Sequence, residues 1–311
     1  VRAIIAETEN FSSEAVEALE LFSEVHMEDL TQEKLSWALD TFEVFWFRLR
    51  FKLTRDHLFS AKKCRYILTA VTGLDHIDLE ACMEFGIHVI SLKGERDFLL
   101  QVRATAEHTM ALTFAMLRNV SGAIQHTQQG NWNREPFKGH EIYGKKIGIL
   151  GVGRLGSITA GFFHSLGAEV YGYDPVAFDN PFCKSVETPE ELFEKSWLVS
   201  IHVNLNSKTR HLVGKELLSL MPKASWLVNT SRGQLIDSHA LIESLENGTL
   251  AGAACDVIEN EFEPLSDALL TYGKANPNQL ILTPHIGGNT FESFSKTELF
   301  LVKKLKEKVQ Q

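Results

Sequence analysis

Cysteine is scarce in this chain: Cys64, Cys82, Cys183 and Cys255 are the only four in 311 residues, with no CxxC pair among them. That scatter excludes a disulfide framework and a thiolate metal centre, so no metal is expected, and it reads as buried free thiols in a reducing compartment. Long apolar runs are missing as well, none reaching the ~18–20 residues of a membrane span. The opening Val1-Arg2-Ala3-Ile4-Ile5-Ala6 is too short for a signal-peptide core and is expected to form a first strand, with a cytoplasmic location as the default. Excess positive charge is absent too. Lys and Arg number 31 against 40 Asp and Glu, a net −9, which argues against a nucleic-acid surface or a polybasic membrane patch. A small anionic substrate remains allowed, because a local Arg cluster can outweigh distant charge.

What is present is ordinary globular material, 44% hydrophobic and 23% charged. The length suits about two domains of ~150 residues each. Short apolar runs alternate with helical segments throughout, the pattern of a parallel α/β architecture. In the first third the apolar runs are 2–6, 24–28, 42–48, 66–72 and 87–91, with helices expected at 13–21, 31–39, 54–61 and 78–85. Gly86 follows the last of these, where a left-handed turn is cheapest for glycine. Five strands with alternating helices make a flavodoxin-like open sheet. Residues 92–102 interrupt the rhythm with the charged loop Lys93-Gly94-Glu95-Arg96-Asp97, and one long helix is expected from about Arg103 to Gln128. A second series begins at Lys145, with strands at 146–150, 169–173, 197–203, 225–229, 252–257 and 280–282. Thr188-Pro189-Glu190-Glu191 has the form of a capping box, and 290–309 reads as a closing amphipathic helix.

No Gly/Pro/Ser linker divides the two series. Two helical crossings, near 103 and 290, are expected to join a discontinuous first domain (1–102 and 284–311) to a second (103–283). A cleft at the carboxyl ends of both sheets would then be the ligand site.

Gly151-Val152-Gly153-Arg154-Leu155-Gly156 follows the apolar strand 146–150 and opens a helix. In that context the first Gly permits a tight turn, the second lets backbone approach a pyrophosphate, and the third lets helix and strand pack closely. Asp174 ends the next strand, where a carboxylate accepts hydrogen bonds from ribose hydroxyls and repels a 2′-phosphate. NAD rather than NADP is the expected cofactor. Among twelve histidines, His285 in Thr283-Pro284-His285-Ile286-Gly287-Gly288 stands just past a strand end, the position of a proton carrier beside a nicotinamide. Arg232 in Asn229-Thr230-Ser231-Arg232-Gly233 and Glu261 in Asp256-Val257-Ile258-Glu259-Asn260-Glu261 stand past two other strands. Singly, each has a plainer reading: a packing histidine in a Gly turn, a surface ion pair, a solvated loop.

These five segments, in this order and spacing, resemble the D-isomer-specific 2-hydroxyacid dehydrogenase family, which includes phosphoglycerate dehydrogenase and hydroxypyruvate reductase types. Thr72-Gly73-Leu74-Asp75-His76-Ile77-Asp78 and Ala106-Glu107-His108-Thr109 extend the likeness. The resemblance implies two doubly wound parallel-sheet domains: a Rossmann NAD-binding domain and a flavodoxin-like substrate domain built from both chain ends. It also implies a homodimer through the coenzyme domain, with the long helix and the 120–145 arm at the interface. Carried over by position, the catalytic Arg, acid and His fall on Arg232, Glu261 and His285. Coenzyme contacts fall on Gly151, Gly153, Arg154, Leu155, Gly156, Asp174, Thr209, Thr230, Ser231, Arg232, Asp256, His285, Ile286, Gly287 and Gly288, with Asp256 expected to orient the nicotinamide carboxamide. Substrate contacts are expected from Arg48, Arg50, Thr72, Gly73 and Arg232. The implied reaction moves hydride between NAD(H) and a small D-2-hydroxy or 2-keto acid of hydroxypyruvate, glyoxylate or 3-phosphoglycerate type. A chain ending at Gln311 is expected to carry no extra regulatory domain. Two places depart from the pattern: the longer segment between Gly94 and Ala106, and Asn204 where the family commonly has Pro. The corepressors known as C-terminal-binding proteins share the scaffold, so an NAD-binding, partner-docking dimer with little turnover is the alternative.

Overall fold

The computed structural model describes residues 1–310, which divide into two compact units, 1–102 with 289–310 and 103–288. In the first unit the chain runs β1 (Arg2–Ile5), α1 (Ser13–Glu20), β2 (Glu24–Met27), α2 (Leu35–Thr41), β3 (Val44–Trp46), α3 (Arg55–Phe59), β4 (Tyr66–Thr69), α4 (Leu79–Glu84), β5 (His88–Ser91) and α5 (Arg96–Leu99). The sheet order is β2-β1-β3-β4-β5 and every pairing is parallel. Its inner strands β1, β3 and β4 are largely apolar on both faces because both are covered, whereas the edge strand β2 is mostly exposed. Ile4, Phe45 and Ile67 face one core, and Ala3, Ile5, Trp46 and Leu68 face the other. Ser12 and Asp78 cap α1 and α4 by accepting from the amides of Ala15 and Ala81. Gly86 turns the chain at φ +70°.

The second unit holds α6 (Ala104–Leu117), α7 (Val120–Gln128), β6 (Lys146–Leu150), α8 (Arg154–Ser165), β7 (Glu169–Tyr173), β8 (Lys184–Ser185), α9 (Pro189–Lys195), β9 (Leu198–Ile201), α10 (Lys215–Leu220), β10 (Ser225–Asn229), α11 (Ser238–Glu246), β11 (Leu250–Cys255), α12 (Ala268–Ala275) and β12 (Leu280–Leu282). Its all-parallel sheet has the order β12-β11-β10-β9-β6-β7-β8, so the winding reverses between β6 and β9. Open α/β sheets bind ligands at the carboxyl edge of such a switch point. The final helix, α13 (Phe291–Val309), belongs to the first unit, capped by Thr290 and packed on α1 and β5. No helix among the described residues is long and apolar enough to cross a membrane.

Four local expectations are corrected. The long helix is two, because Asn119 adopts the left-handed conformation (φ 47°, ψ 45°) between α6 and α7, a region Asn tolerates better than most residues. The interruption expected as a charged loop over 92–102 contains helix α5, which buries Leu99. Phe98 next to it stacks on Phe300 of α13 with ring centroids 3.9 Å apart, and Lys304 pairs with Glu95. At Thr188 the hydroxyl accepts from the Glu191 amide, but the Glu191 carboxylate reaches back to the amide of Glu187, so the reciprocal box is not closed. The chain leaves the second unit after Gly288 and not at 284, since the amides of Ile286 and Gly287 donate to the Asp256 carboxylate at 2.9 and 2.7 Å.

Candidate active site

The glycine loop shows why no larger residue would serve. Gly151 has φ +92°, and a Cβ there would lie 2.7 Å from the carbonyl oxygen of His202. A Cβ on Gly156 would lie 1.9 Å from the Gly151 carbonyl oxygen, so helix α8 and the strand-end turn are in backbone contact. Around Gly153 there is open space, and this N-cap of α8 has no side chain closing the first-turn amides. With no capping side chain over it, the positive end of this twelve-residue helix suits an anion. Asp174 stands beside it: one carboxylate oxygen accepts from the Val152 amide at 3.0 Å and the other from Val176 at 3.0 Å. The acid thereby ties the end of β7 to the loop while each oxygen retains a lone pair. Arg154 and Leu155 follow at the start of α8, both half-buried. The residues present fit a dinucleotide pyrophosphate and its adenosine ribose.

Three polar loops leave three neighbouring strands. After β10, buried Asn229 clamps its own loop: its Oδ1 accepts from the Ser231 amide at 3.0 Å and its Nδ2 donates to the Arg232 carbonyl at 2.9 Å. The Ser231 hydroxyl donates to the Ile201 carbonyl (2.8 Å), and the Thr230 hydroxyl pairs with that of Thr109 (2.7 Å). Arg232 follows with extended backbone, one Nη donating to the Ser231 carbonyl. Gly233 is obligatory, since a Cβ would meet the Ile258 carbonyl at 2.0 Å. That contact, with Gln234 Nε2 donating to the Glu259 carbonyl at 2.7 Å, seats the Arg232 loop against the one that follows β11. Glu259 in turn accepts from Arg210 (2.6 Å) and pairs with His211 (2.8 Å), a fastening the sequence did not suggest.

The β11 loop carries Glu261 and the β12 loop carries His285. His285 Nδ1 and Glu261 Oε2 are 2.7 Å apart. His285 itself has φ +54°, an uncommon left-handed conformation, held by its amide donating to the Asp256 carbonyl at 2.7 Å. Asp256 is the buried post beneath this turn. Its Oδ1 accepts from the hydroxyl of Thr283 (2.6 Å) and the Ile286 amide (2.9 Å) and lies 3.2 Å from His108 Nε2, while Oδ2 accepts from the Gly287 amide. Burial pushes its carboxyl upward, yet the hydrogen bonds from His108, Thr283 and Ile286 together outweigh burial and hold it below the usual carboxylate value. Asp256 is therefore committed chiefly to holding the His285 turn, and a carboxamide contact is limited to Oδ2. Gly288 is exposed, with open space where a side chain would stand.

Other expected contacts fall elsewhere. Thr209 closes its own turn, its hydroxyl bonded to the Asn204 carbonyl (2.7 Å) and the Asn206 amide (2.8 Å), which supplies the bend left open by Asn204 in place of Pro. Arg48 is engaged within the first unit. Its guanidinium donates to buried Glu298 at 2.7 and 3.1 Å and to the carbonyls of Glu9 and Asn10, and it lies over the Phe294 ring. It is a strut of the first unit. Arg50 pairs with Asp29 at 2.9 Å, Thr72 is exposed and Gly73 half-buried in the loop after β4.

The family model described as D-isomer specific 2-hydroxyacid dehydrogenase, NAD binding domain, matches residues 110–287. The chain belongs to the D-isomer specific 2-hydroxyacid dehydrogenase family. NAD is the cofactor of its second unit. Among relatives, the chain is 34% identical over 305 residues to a D-3-phosphoglycerate dehydrogenase of Methanocaldococcus jannaschii, covering 96% of this chain and 56% of that protein. It is 31% identical over 282 residues to a hydroxypyruvate reductase of Thermotoga maritima, covering 91% and 90% respectively. A solved D-lactate dehydrogenase from Aquifex aeolicus, complexed with NAD and lactic acid, superposes with a TM-score of 0.83 at 25% identity, covering 100% of this chain and 96% of that one. The chain spans about half the length of the phosphoglycerate dehydrogenases it matches.

Proposed function

We propose that this dehydrogenase-family chain interconverts a small 2-keto acid and its D-2-hydroxy acid with NAD(H), with His285 as the proton carrier. The observation that carries the reading is the 2.7 Å contact between His285 Nδ1 and Glu261 Oε2. An ionised carboxylate only accepts hydrogen bonds, so Nδ1 bears the hydrogen and Nε2 is left to exchange a proton with substrate. When bound, NADH supplies the hydride that reduces the carbonyl carbon. Imidazolium Nε2–H at His285 then donates to the oxygen where negative charge develops; in the oxidative direction neutral Nε2 takes the hydroxyl proton. Arg232, planar and permanently charged, grips the substrate carboxylate and polarises the neighbouring carbonyl.

The inward engagement of Arg48 removes a cation that a distal phosphate would need, which favours hydroxypyruvate or glyoxylate over a phosphorylated acid. A homodimer through the second unit is part of the reading, supported by exposed Val120, Ile124, Trp132 and Tyr143 on the arm. An NADH-oxidation screen over glyoxylate, hydroxypyruvate, pyruvate and 3-phosphohydroxypyruvate, with light scattering for mass, tests both. Preference for the phosphorylated acid would refute the substrate assignment. Slow turnover on every acid would favour the docking alternative.

A further inference from the structure

One helical turn of α6 reaches both of the loops that bear the proposed catalytic groups. Helix α6 packs on β10 and β11, and adjacent residues of a helix point about 100° apart. His108 and Thr109 accordingly diverge. Thr109 is fully buried; its hydroxyl donates to the Thr105 carbonyl at 2.8 Å and accepts from Thr230 Oγ1 at 2.7 Å, under the loop of Arg232. His108 Nε2 lies 3.2 Å from Asp256 Oδ1 and 3.1 Å from Thr283 Oγ1, under the turn of His285. The hydroxyl of Thr283 donates to Asp256 Oδ1, so it is left to accept, and Asp256 only accepts. Nε2 of His108 must therefore be the protonated nitrogen, shared between the two oxygens. Asp256 passes that anchor on to the amides of Ile286 and Gly287, next to the left-handed His285. Gly287 leaves no slack, since a Cβ there would stand 3.0 Å from Asp256 Oδ2 and 3.2 Å from Thr105 Cγ2.

We propose that His108 and Thr109 are positioning residues: a common brace on α6 that sets the His285 turn through Asp256 and the Arg232 loop through Thr230. Neither touches substrate. The assignment rests on the dehydrogenase reading for its kinetic consequence but not for its structural one. It predicts separable effects, because the glycine loop and Asp174 lie outside the brace. Misplacing a reacting group by about 1 Å can cost as much as 10²-fold in rate.

The test uses the full chain with His108→Leu, His108→Gln and Thr109→Val. Hydrogen exchange of the protein alone comes first. Residues 283–288 should exchange faster in His108→Leu, residues 229–233 in Thr109→Val, and residues 151–156 in neither. Gln places an amide N–H near the Nε2 position, so His108→Gln should restore protection at 283–288. Kinetics follow: His108→Leu should lower kcat roughly tenfold or more with NADH Kd changed less than about threefold, and His108→Gln should recover most of it. Unchanged exchange at 283–288 in His108→Leu, or exchange raised equally everywhere and not rescued by Gln, would overturn the brace. If the wild type reduces no 2-keto acid, the dehydrogenase reading fails, and the exchange pattern still decides for or against the brace.

Discussion

His202, at the end of β9 below the glycine loop, should make the second unit lose stability in mild acid. Its Nε2 is 2.8 Å from the buried hydroxyl of Ser200, and its Nδ1 is shielded from solvent with no hydrogen-bond partner. Burial drives its pKa down to about 4, from an ordinary 6.5. The folded state thus keeps the ring neutral where the unfolded chain protonates it. Stability from this group is complete above about pH 6.5 and is lost as pH falls from 6.5 toward 4. At about 1.4 kcal/mol per pKa unit, the full loss is roughly 3 kcal/mol, about 2 of it between pH 7 and 5. His202→Gln keeps a donor to Ser200 and cannot titrate, while other ionisable groups remain common to both proteins. Urea unfolding followed by tryptophan fluorescence at pH 7, 6 and 5 should therefore give a wild-type midpoint that falls more steeply than the variant's. Parallel profiles would refute the claim that this half-buried imidazole is held neutral in the folded protein.

Four further predictions follow. Removing Arg48 strands the fully buried Glu298 carboxylate, so Arg48→Met should cost about 3–5 kcal/mol in chemical denaturation, whereas Glu298→Gln, which retains an acceptor for the Ser12 amide, should cost much less; equal losses would contradict this. Burial raises the carboxyl of Glu298 above its ordinary 4.5, so its stabilising contribution is present below that value and is lost as pH rises through the raised one, a dependence that Glu298→Gln should abolish. Gly156→Ala forces a Cβ onto the Gly151 carbonyl and should weaken NADH binding by at least about tenfold in fluorescence titration, and an unchanged Kd would contradict the close contact. All four thiols are pushed up by burial, Cys64 and Cys255 to about 12 and Cys82 and Cys183 to about 11, so a thiol reagent at neutral pH should label the native protein slowly and all four in denaturant. Rapid native labelling of Cys255 would contradict it.

Motifs that depend on backbone chemistry were legible in the amino-acid sequence. Gly151 and Gly156 announce a tight turn and a close packing contact, and both occur in the fold, while Gly153 has open space around it. The apolar runs of both sheets survive as strands, although 66–72 ends at Thr69, 252–257 shifts to Leu250–Cys255, and the two-residue edge strand β8, polar and exposed, gave no apolar signal. What escaped depends on partners far apart in the chain. Nothing beside Arg48 reveals that Glu298, 250 residues away, will claim its guanidinium. Asp256 reads as a strand-end acid, yet its work is to anchor amides some thirty positions on. His108 and Thr109 stood out only as part of a family resemblance, and a helix periodicity cannot say that two consecutive polar residues will diverge to two loops. Asn119 was the available signal for the break between α6 and α7, and it was outweighed by apolar spacing on both sides.

The most direct test compares NADH oxidation by the wild type, His285→Ala and Glu261→Gln on hydroxypyruvate and glyoxylate, with NADH Kd measured in parallel. Turnover by the wild type is expected, together with a fall in kcat of about 10²–10⁴-fold in His285→Ala, a smaller fall in Glu261→Gln, and NADH affinity nearly unchanged in both. Wild-type turnover that survives intact in His285→Ala would contradict the assignment of proton transfer to this imidazole.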